Sequence, residues 1–155
     1  MNKADYAMED LLPLIEEVVA SGGEFKLYPR GTSMMPLLRQ GRDAVALVAA
    51  DGFSRGDICL YRRKNGMFVL HRLERLERDG TLCFRGDNQC QLERGIERDA
   101  LIARVSAIYR EEKRVSLTSL RYRSYCAFYL KQPFRTIRFF VRGVRHKLGA
   151  LLRKR

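Results

Sequence analysis

Apolar residues recur with a helical period at the two ends of the chain and in short runs between them. Near the N-terminus the regularly spaced apolar positions are Leu11, Leu12, Ile15, Val18 and Val19. This stripe stops at Gly22-Gly23, which is typical of an amphipathic helix with a glycine signal at its C-terminal end. The pattern predicts a helix over about residues 6–21, within an N-terminal segment of residues 1–22.

Between about residues 24 and 110 the helical period gives way to short apolar runs. Short runs rich in Val, Ile, Leu, Phe and Tyr are separated by Gly, Asp and Asn: EFKLYP, DAVALVA, DICLYRR, MFVLHRLERLE, TLCFRG and LIARVSAIYR. Such runs are typical of antiparallel strands, and Asn65-Gly66 and Asp79-Gly80 are hairpin signals. We therefore predict a mainly β (α+β) protein with a β domain over residues 23–115.

The last segment, residues 116–155, returns to the helical period. One apolar stripe is formed by Phe134, Ile137, Val141, Val144, Leu148 and Leu151, and beside it lie Arg135, Arg138, Arg142 and Arg145. We expect a basic C-terminal helical extension, in which Pro133 either breaks the region in two or begins the second helix.

Nearly all of the net charge of +12 belongs to this extension. Residues 121–155 contain 11 Lys and Arg and no acidic residue, whereas residues 1–120 contain 19 basic and 18 acidic residues. Three interpretations stay open for the arginine row. The helix could dock on the β domain with a solvated basic face, bind an anionic membrane surface, or bind nucleic acid without sequence specificity.

The cysteines and the distribution of apolar residues indicate the compartment in which the protein works. The four cysteines are Cys59, Cys83, Cys90 and Cys126. Their spacing fits neither a zinc site nor a disulfide framework, so we expect reduced, mostly buried thiols. The N-terminal apolar run is interrupted by Pro13, Glu16 and Glu17, and no run of about 18 uncharged apolar residues occurs. We expect neither a signal peptide nor a transmembrane helix, which favours a cytoplasmic protein that can bind at the membrane periphery.

Three short motifs contain residues that could take part in catalysis: GTSMMP at 31–36, VLHR at 69–72, and RGDN at 85–88, with Glu93 shortly after. A nucleophilic serine needs a base, and usually a carboxylate that orients the base. Ser33 supplies the hydroxyl, and His71, the one histidine of the β region, supplies an imidazole. Asp87 or Glu93 supplies the carboxylate, and each of these residues lies at the end or start of a predicted strand.

Each of these residues also has a purely structural interpretation. A serine after Gly-Thr often caps a turn or helix. A single strand histidine is often a satisfied structural residue, and the aspartate of a GDN turn usually bonds its own backbone. The residues alone therefore leave both interpretations open.

Taken in order, GTSMMPLLRQG, RGDICLYRR, VLHRLERLERDGTLCFRGDN and LIARVSAIYR resemble the S24/S26 serine peptidase superfamily. That superfamily includes type I signal peptidases and the self-cleaving phage and SOS repressors, and the resemblance covers roughly residues 23–112. It implies a coiled antiparallel β-sheet body in which Ser33 is the nucleophile and opens a short helix. It also implies a serine endopeptidase that removes a leader or signal segment from a peptide or protein, without a metal or organic cofactor.

The base position points to one branch of this superfamily. His71, in LHR directly after a predicted strand, matches the position at which most bacterial signal peptidases and the repressors carry lysine. This is similar to the endoplasmic-reticulum and archaeal type, which uses Ser and His with acidic partners. Asp87 matches the GDN aspartate of that type, and Glu93 lies near its second acid but is Glu rather than Asp. A histidine base predicts activity that rises through an apparent pKa of roughly 6 to 7.

Some signal peptidases place a hydroxyl two residues before the nucleophile, where this chain has Gly31. The oxyanion hole would then use backbone N–H groups, including that of Ser33. Two alternatives to a peptidase stay open: a non-catalytic binding module on the same fold, and a repressor-like regulator whose basic tail binds nucleic acid. The joint presence of Ser33, His71 and Asp87 favours the peptidase over the first, and the lack of a helix-turn-helix pattern argues against the second.

Overall fold

The computed structural model describes residues 7–131 and residue 137. Within them the chain is mainly β, as predicted, with one antiparallel sheet of eight strands and short helices. The chain divides into two compact units, Met1–Ser116 and Leu117–Arg155. The first unit contains the whole sheet.

The elements follow in chain order. Helix α1 is Met8–Ala20, and the strands are β1 (Phe25–Leu27), β2 (Asp43–Val48), β3 (Ile58–Arg62), β4 (Phe68–Leu76), β5 (Leu82–Arg85), β6 (Glu93–Ile96), β7 (Leu101–Arg110) and β8 (Lys113–Ser116). The strand order is β1-β2-β7-β3-β4-β5-β6, and β8 pairs with β7. In the second unit, helix α2 (Leu120–Ser124) is followed by a π-helical turn at Tyr125–Tyr129.

All six predicted apolar runs contain strands, but β6 and β8 were not predicted. The sequences of these two strands are ERGI and KRVS, which are short and rich in charge. Their backbones complete the ladder beside β5 and β7, although none of their residues is fully buried. Tertiary pairing, rather than an apolar pattern, therefore defines them.

The predicted N-terminal helix and its glycine end are confirmed. Helix α1 buries Ile15 and Val19 and packs against β1, β2 and β7. Gly22 has φ +79°, and its N–H donates to the Val19 carbonyl, which satisfies a carbonyl group of the last helical turn.

The two predicted hairpins are also confirmed. Asn65-Gly66 lies in the connection from β3 to β4, where the Arg63 N–H donates to the Met67 carbonyl at 2.8 Å. Asp79-Gly80 connects β4 to β5. The register of the first hairpin sets Cys59 directly opposite His71.

A tightly packed cluster lies under this hairpin. Its buried members are Cys59, Tyr61, Leu73, Leu82 and Phe84. The Tyr61 ring stacks on the Phe84 ring with centroids 4.4 Å apart. Side chains on β3 and β4 next to this cluster therefore have little freedom to move, because the cluster is closely packed.

Two further sequence predictions concern the cysteine thiols and the basic C-terminal extension. All four cysteines are free, but only Cys59 and Cys83 are buried, while Cys90 is exposed, so the expectation of mostly buried thiols is wrong for Cys90. Arg135, Arg138, Arg142 and Arg145 lie outside the described residues, as does their apolar stripe apart from Ile137. No helix in the described part of the chain is long and apolar enough to cross a bilayer.

Candidate functional site

Ser33 and His71 line the same cleft, which has a volume of about 230 Å³. The wall beside them is formed by Met34, Leu38, Phe68 and Leu70, while Arg63 and Gln89 lie at a more polar part of the lining. The sequence places these residues far apart, and the fold brings the candidate nucleophile and the candidate base to one cavity.

The segment that carries Ser33 is a series of turns. The Met35 N–H donates to the Thr32 carbonyl at 3.1 Å, the Leu38 N–H donates to the Met34 carbonyl at 3.0 Å, and the Met35–Pro36 peptide bond is cis. The prediction that a short helix begins at Ser33 is therefore wrong. Pro36 has no N–H, so it cannot donate the hydrogen bond that a continuous helix would need at this position. Met34 is only 4% exposed and anchors the segment in the body.

The GDN loop holds the Ser33 segment from the other side. The Asn88 N–H donates to the Ser33 carbonyl at 2.7 Å, and the Asn88 side-chain amide donates to the Thr32 carbonyl at 3.1 Å. Gly86 lies so close that a Cβ added there would be 2.7 Å from the Ser33 carbonyl oxygen. The Ser33 N–H donates to no acceptor among the residues that the structure describes, so it is available to a developing oxyanion.

His71 lies inside β4, not directly after a strand as predicted. Its side chain is almost completely buried, with 1% of the residue exposed. Its Nδ1 atom is 3.1 Å from Glu93 Oε1 and 3.3 Å from the hydroxyl oxygen of Tyr61. These contacts occupy Nδ1 and leave Nε2, on the opposite edge of the ring, as the nitrogen that can accept a proton from a hydroxyl.

Glu93, the first residue of β6, is the carboxylate in direct contact with His71. Tyr61 donates its hydroxyl proton to Glu93 Oε2 at 2.8 Å, and Arg63 Nε donates to the same oxygen at 2.8 Å. A second Arg63 nitrogen forms an ion pair with Glu93 Oε1. Both carboxylate oxygens are therefore held by donors that keep Glu93 oriented towards the imidazole.

Asp87 has a different partner. Its side chain is completely buried and accepts two hydrogen bonds from Arg72, one from Nε at 2.8 Å and one from Nη2 at 2.7 Å. The third Arg72 nitrogen donates to the Gly56 carbonyl at 2.6 Å. The sequence left open whether Asp87 or Glu93 contacts His71. The structure brings Glu93 to the imidazole, and it gives Asp87 a bidentate pair with the residue that follows His71.

The pKa values of the network suit a neutral base beside an ionised acid. Burial lowers the pKa of His71 below its usual value, and the negative charge of Glu93 offsets part of that shift. Although burial opposes it, hydrogen bonds from Arg63 and Tyr61 lower the pKa of Glu93. Burial, together with the bond to Glu93, raises the pKa of Tyr61. At neutral pH the imidazole and the phenol are therefore uncharged, and Glu93 is a carboxylate.

Sequence reasoning missed Tyr61 and Arg63. Both precede the Asn65-Gly66 turn and lie near the predicted base once the hairpin closes. Their signal was the alternation along β3, because residues two apart share a face of the sheet. That signal becomes useful only when the register with β4 is known.

Within the described part of the chain, no three His, Cys, Asp or Glu side chains cluster in a way that could hold a metal ion. Comparisons with protein-family models, curated proteins and solved structures found no match. The site is therefore interpreted from its own geometry and from the sequence motifs that contribute to it.

Proposed function

We propose that the protein is a serine endopeptidase that removes a leader or signal segment from a peptide or protein. The observation that carries this proposal is the shared cleft of Ser33 and His71, together with the contact of Glu93 with His71 Nδ1. A hydroxyl and an imidazole in one cleft, with a carboxylate at the other ring nitrogen of the imidazole, are the groups that hydroxyl activation uses. The resemblance of the four sequence boxes to the S24/S26 peptidases supports a coiled β body of that type.

The reaction proceeds through an acyl-enzyme. Ser33 Oγ attacks the carbonyl carbon of the scissile peptide bond while its proton passes to His71 Nε2, and Glu93 stabilises the imidazolium. The negative oxygen of the tetrahedral intermediate accepts the Ser33 N–H. Collapse of this intermediate breaks the C–N bond, and the leaving amine takes the proton from His71. Water then repeats the sequence against the ester, with the same base, and releases Ser33.

The lining of the cleft is compatible with a peptide substrate. Met34, Leu38, Phe68 and Leu70 offer apolar contacts for side chains, and Arg30, Gln40 and Gln89 offer polar contacts for a peptide backbone. A non-catalytic binding module on the same fold could lose one of the three groups and keep its fold, whereas Ser33, His71 and Glu93 are all present here.

The direct test is cleavage of a degenerate peptide pool, with new termini read by mass spectrometry. Wild-type protein should generate new termini, and Ser33→Ala should reduce their rate of formation by at least about 1,000-fold, because the nucleophile and base act as one unit. His71→Ala should lose nearly as much activity.

Ser54→Ala is the matched control, since Ser54 lies in an exposed loop and the substitution removes the same hydroxyl. It should cleave at the wild-type rate. Equal cleavage by wild type and Ser33→Ala would exclude Ser33 as the nucleophile. Retention of peptides without any cleavage by the wild type would favour the binding module instead.

A further inference from the structure

We propose that Tyr61 is a positioning residue that, with Arg63, fixes the imidazole of His71 as the Nδ1–H tautomer and so leaves Nε2 free to act as the base. The role in catalysis rests on the proposed function, whereas the tautomer itself does not. The inference comes from assigning the protons of four side chains that contact one another: the buried Tyr61 and His71, and the partly buried Arg63 and Glu93.

The Tyr61 hydroxyl is held in place by the core. The residue is completely buried, and its ring stacks on Phe84 with a 4.4 Å separation of centroids. Rotation of the ring would break this packing, so the hydroxyl oxygen stays at one position between Glu93 and His71.

A phenol has one proton to donate, and here it goes to the carboxylate. Tyr61 is 2.8 Å from Glu93 Oε2 and 3.3 Å from His71 Nδ1, and an ionised carboxylate is the stronger acceptor. Having given its proton to Glu93, the Tyr61 oxygen can only accept a hydrogen bond at His71.

His71 Nδ1 therefore faces two acceptors, the Tyr61 oxygen at 3.3 Å and Glu93 Oε1 at 3.1 Å. A lone pair on Nδ1 would point at the lone pairs of both oxygens, whereas a proton on Nδ1 satisfies them. The neutral imidazole must carry its proton on Nδ1. The lone pair then lies on Nε2, where general-base catalysis requires it.

Arg63 completes the arrangement by keeping Glu93 from taking that proton. It donates to both oxygens of Glu93, and it also lines the cleft that contains Ser33. The charged and titratable groups that face His71 are Glu93 from β6, Asp87 from the GDN loop, Cys59 and Tyr61 from β3, and Arg63 from the hairpin. Of these, Arg63 is the cation, and its charge lowers the pKa of His71.

The tautomer can be measured without any knowledge of the substrate. In protein labelled with ¹⁵N-histidine, the shifts of the two ring nitrogens distinguish a protonated from an unprotonated atom. His146 is the only other histidine, so a His146→Gln background assigns the His71 signals. At neutral pH the wild type should show protonated Nδ1 and unprotonated Nε2. Protonated Nε2 in the wild type would overturn the inference with no further variant.

Tyr61→Phe removes the hydroxyl and keeps the ring that packs on Phe84. We expect a mixture of tautomers by NMR and a fall in kcat of about ten-fold, with KM little changed, because a positioning bond to the base acts on the chemical step. Tyr109→Phe is the matched control, since its hydroxyl contacts Arg114 in another part of the sheet. That variant should match the wild type in both measurements.

Arg63→Gln gives a second, independent readout. It removes the cation near His71, so the midpoint of the pH–rate profile should move to higher pH, whereas loss of structure alone would lower the rate at all pH values. An unmoved midpoint, or an unchanged tautomer and kcat in Tyr61→Phe, would refute the positioning role. A protein that shows the Tyr61-dependent tautomer but cleaves no peptide would keep this inference and refute the proposed peptidase.

Discussion

Asp87 and Glu93 lie on either side of one short loop, yet the protein surrounds these two carboxylates in different ways. Asp87 is fully buried, and Arg72 binds both of its oxygens. Glu93 has a side chain that is 18% exposed, and it divides its contacts among Arg63, Tyr61 and the titratable His71. Sequence alone treats the two acids as equivalent candidates, and the structure separates them by their partners.

This difference indicates separate roles. Arg72 and Asp87 neutralise each other, and through Gly86 and Asn88 the same loop contacts the carbonyl of Ser33. Asp87 therefore stabilises the loop that contacts the Ser33 segment. Glu93 has a partner whose charge changes when a proton moves, so it is the acid that can respond during a reaction.

The largest expected effect follows from breaking the buried pair. Asp87→Asn keeps the volume of the side chain but removes the negative charge that pairs with the buried Arg72 guanidinium. We expect the free energy of unfolding to fall by about 3–5 kcal/mol, measured by urea denaturation. Glu93→Gln should lose much less stability, and should instead reduce kcat in a protein that is still folded.

Glu97→Gln is the control for this comparison, because the Lys64–Glu97 pair is exposed and its atoms are 3.6 Å apart. Its urea midpoint should match the wild type, since exposed ion pairs contribute little. If Asp87→Asn and Glu93→Gln lost the same stability, the division of roles between the two acids would be wrong.

The next effect concerns the contact between the GDN loop and Ser33. In Gly86→Ala the new methyl group would lie 2.7 Å from the Ser33 carbonyl oxygen, so one of the two backbone segments must move. We expect a loss of about 1–3 kcal/mol of stability and a fall in peptidase activity of about 100-fold, because a small displacement of the nucleophile is costly. Denaturation and peptide cleavage measure the two effects.

Gly52→Ala separates crowding from backbone strain. Gly52 has φ +65° and no neighbour within 4 Å of an added Cβ, so alanine there is strained but meets no other atom. It should lose some stability and keep full activity. Gly86→Ala protein with wild-type activity would mean that the GDN loop does not position Ser33.

The sheet, the hairpins and the three motifs could be predicted from the sequence, because each depends on residues that are close together along the chain. It could not choose between Asp87 and Glu93, since their partners come from β3 and β4. A two-residue turn at Asn65-Gly66 would place Leu60 opposite His71 and Tyr61 on the other face. The observed loop is one residue longer, with Gly66 at φ +85°, and this register sets Tyr61 on the face of His71.

The pH dependence provides a smaller effect with a defined sign. Catalysis needs neutral His71, and burial lowers its folded pKa below 6.5, so activity should be lost only as pH falls below that value. The direction of this shift favours the lower part of the range of roughly 6 to 7 expected for a histidine base, or a midpoint below it. A pH–rate profile with half-maximal activity at or above pH 6.5 would contradict it.

Stability should follow the same groups. For His71 the unfolded chain binds the proton more readily, so stability is present above pH 6.5 and is lost as pH falls towards the lowered folded pKa. For Glu93 the lowered pKa gives stability that is present above pH 4.5 and is lost as pH falls through its folded value. His71→Gln should flatten the upper part of this curve and Glu93→Gln the lower part. Urea midpoints measured from pH 3 to 8 test both, and a curve for His71→Gln that parallels the wild type would contradict the assignment.

The smallest effect is expected at Cys90, which lies in the loop between the two acids. Cys90 is exposed, whereas Cys59 is buried and burial raises its pKa to about 12. A thiol reagent should therefore modify Cys90 in the folded protein and leave Cys59 unmodified until denaturant is added. Cys90→Ser should change the urea midpoint by no more than experimental error, because the loop contacts the Ser33 segment through Gly86 and Asn88 and not through this side chain. A Cys90→Ser variant that lost as much stability as Asp87→Asn would show that the whole loop, rather than its aspartate, supports the Ser33 segment.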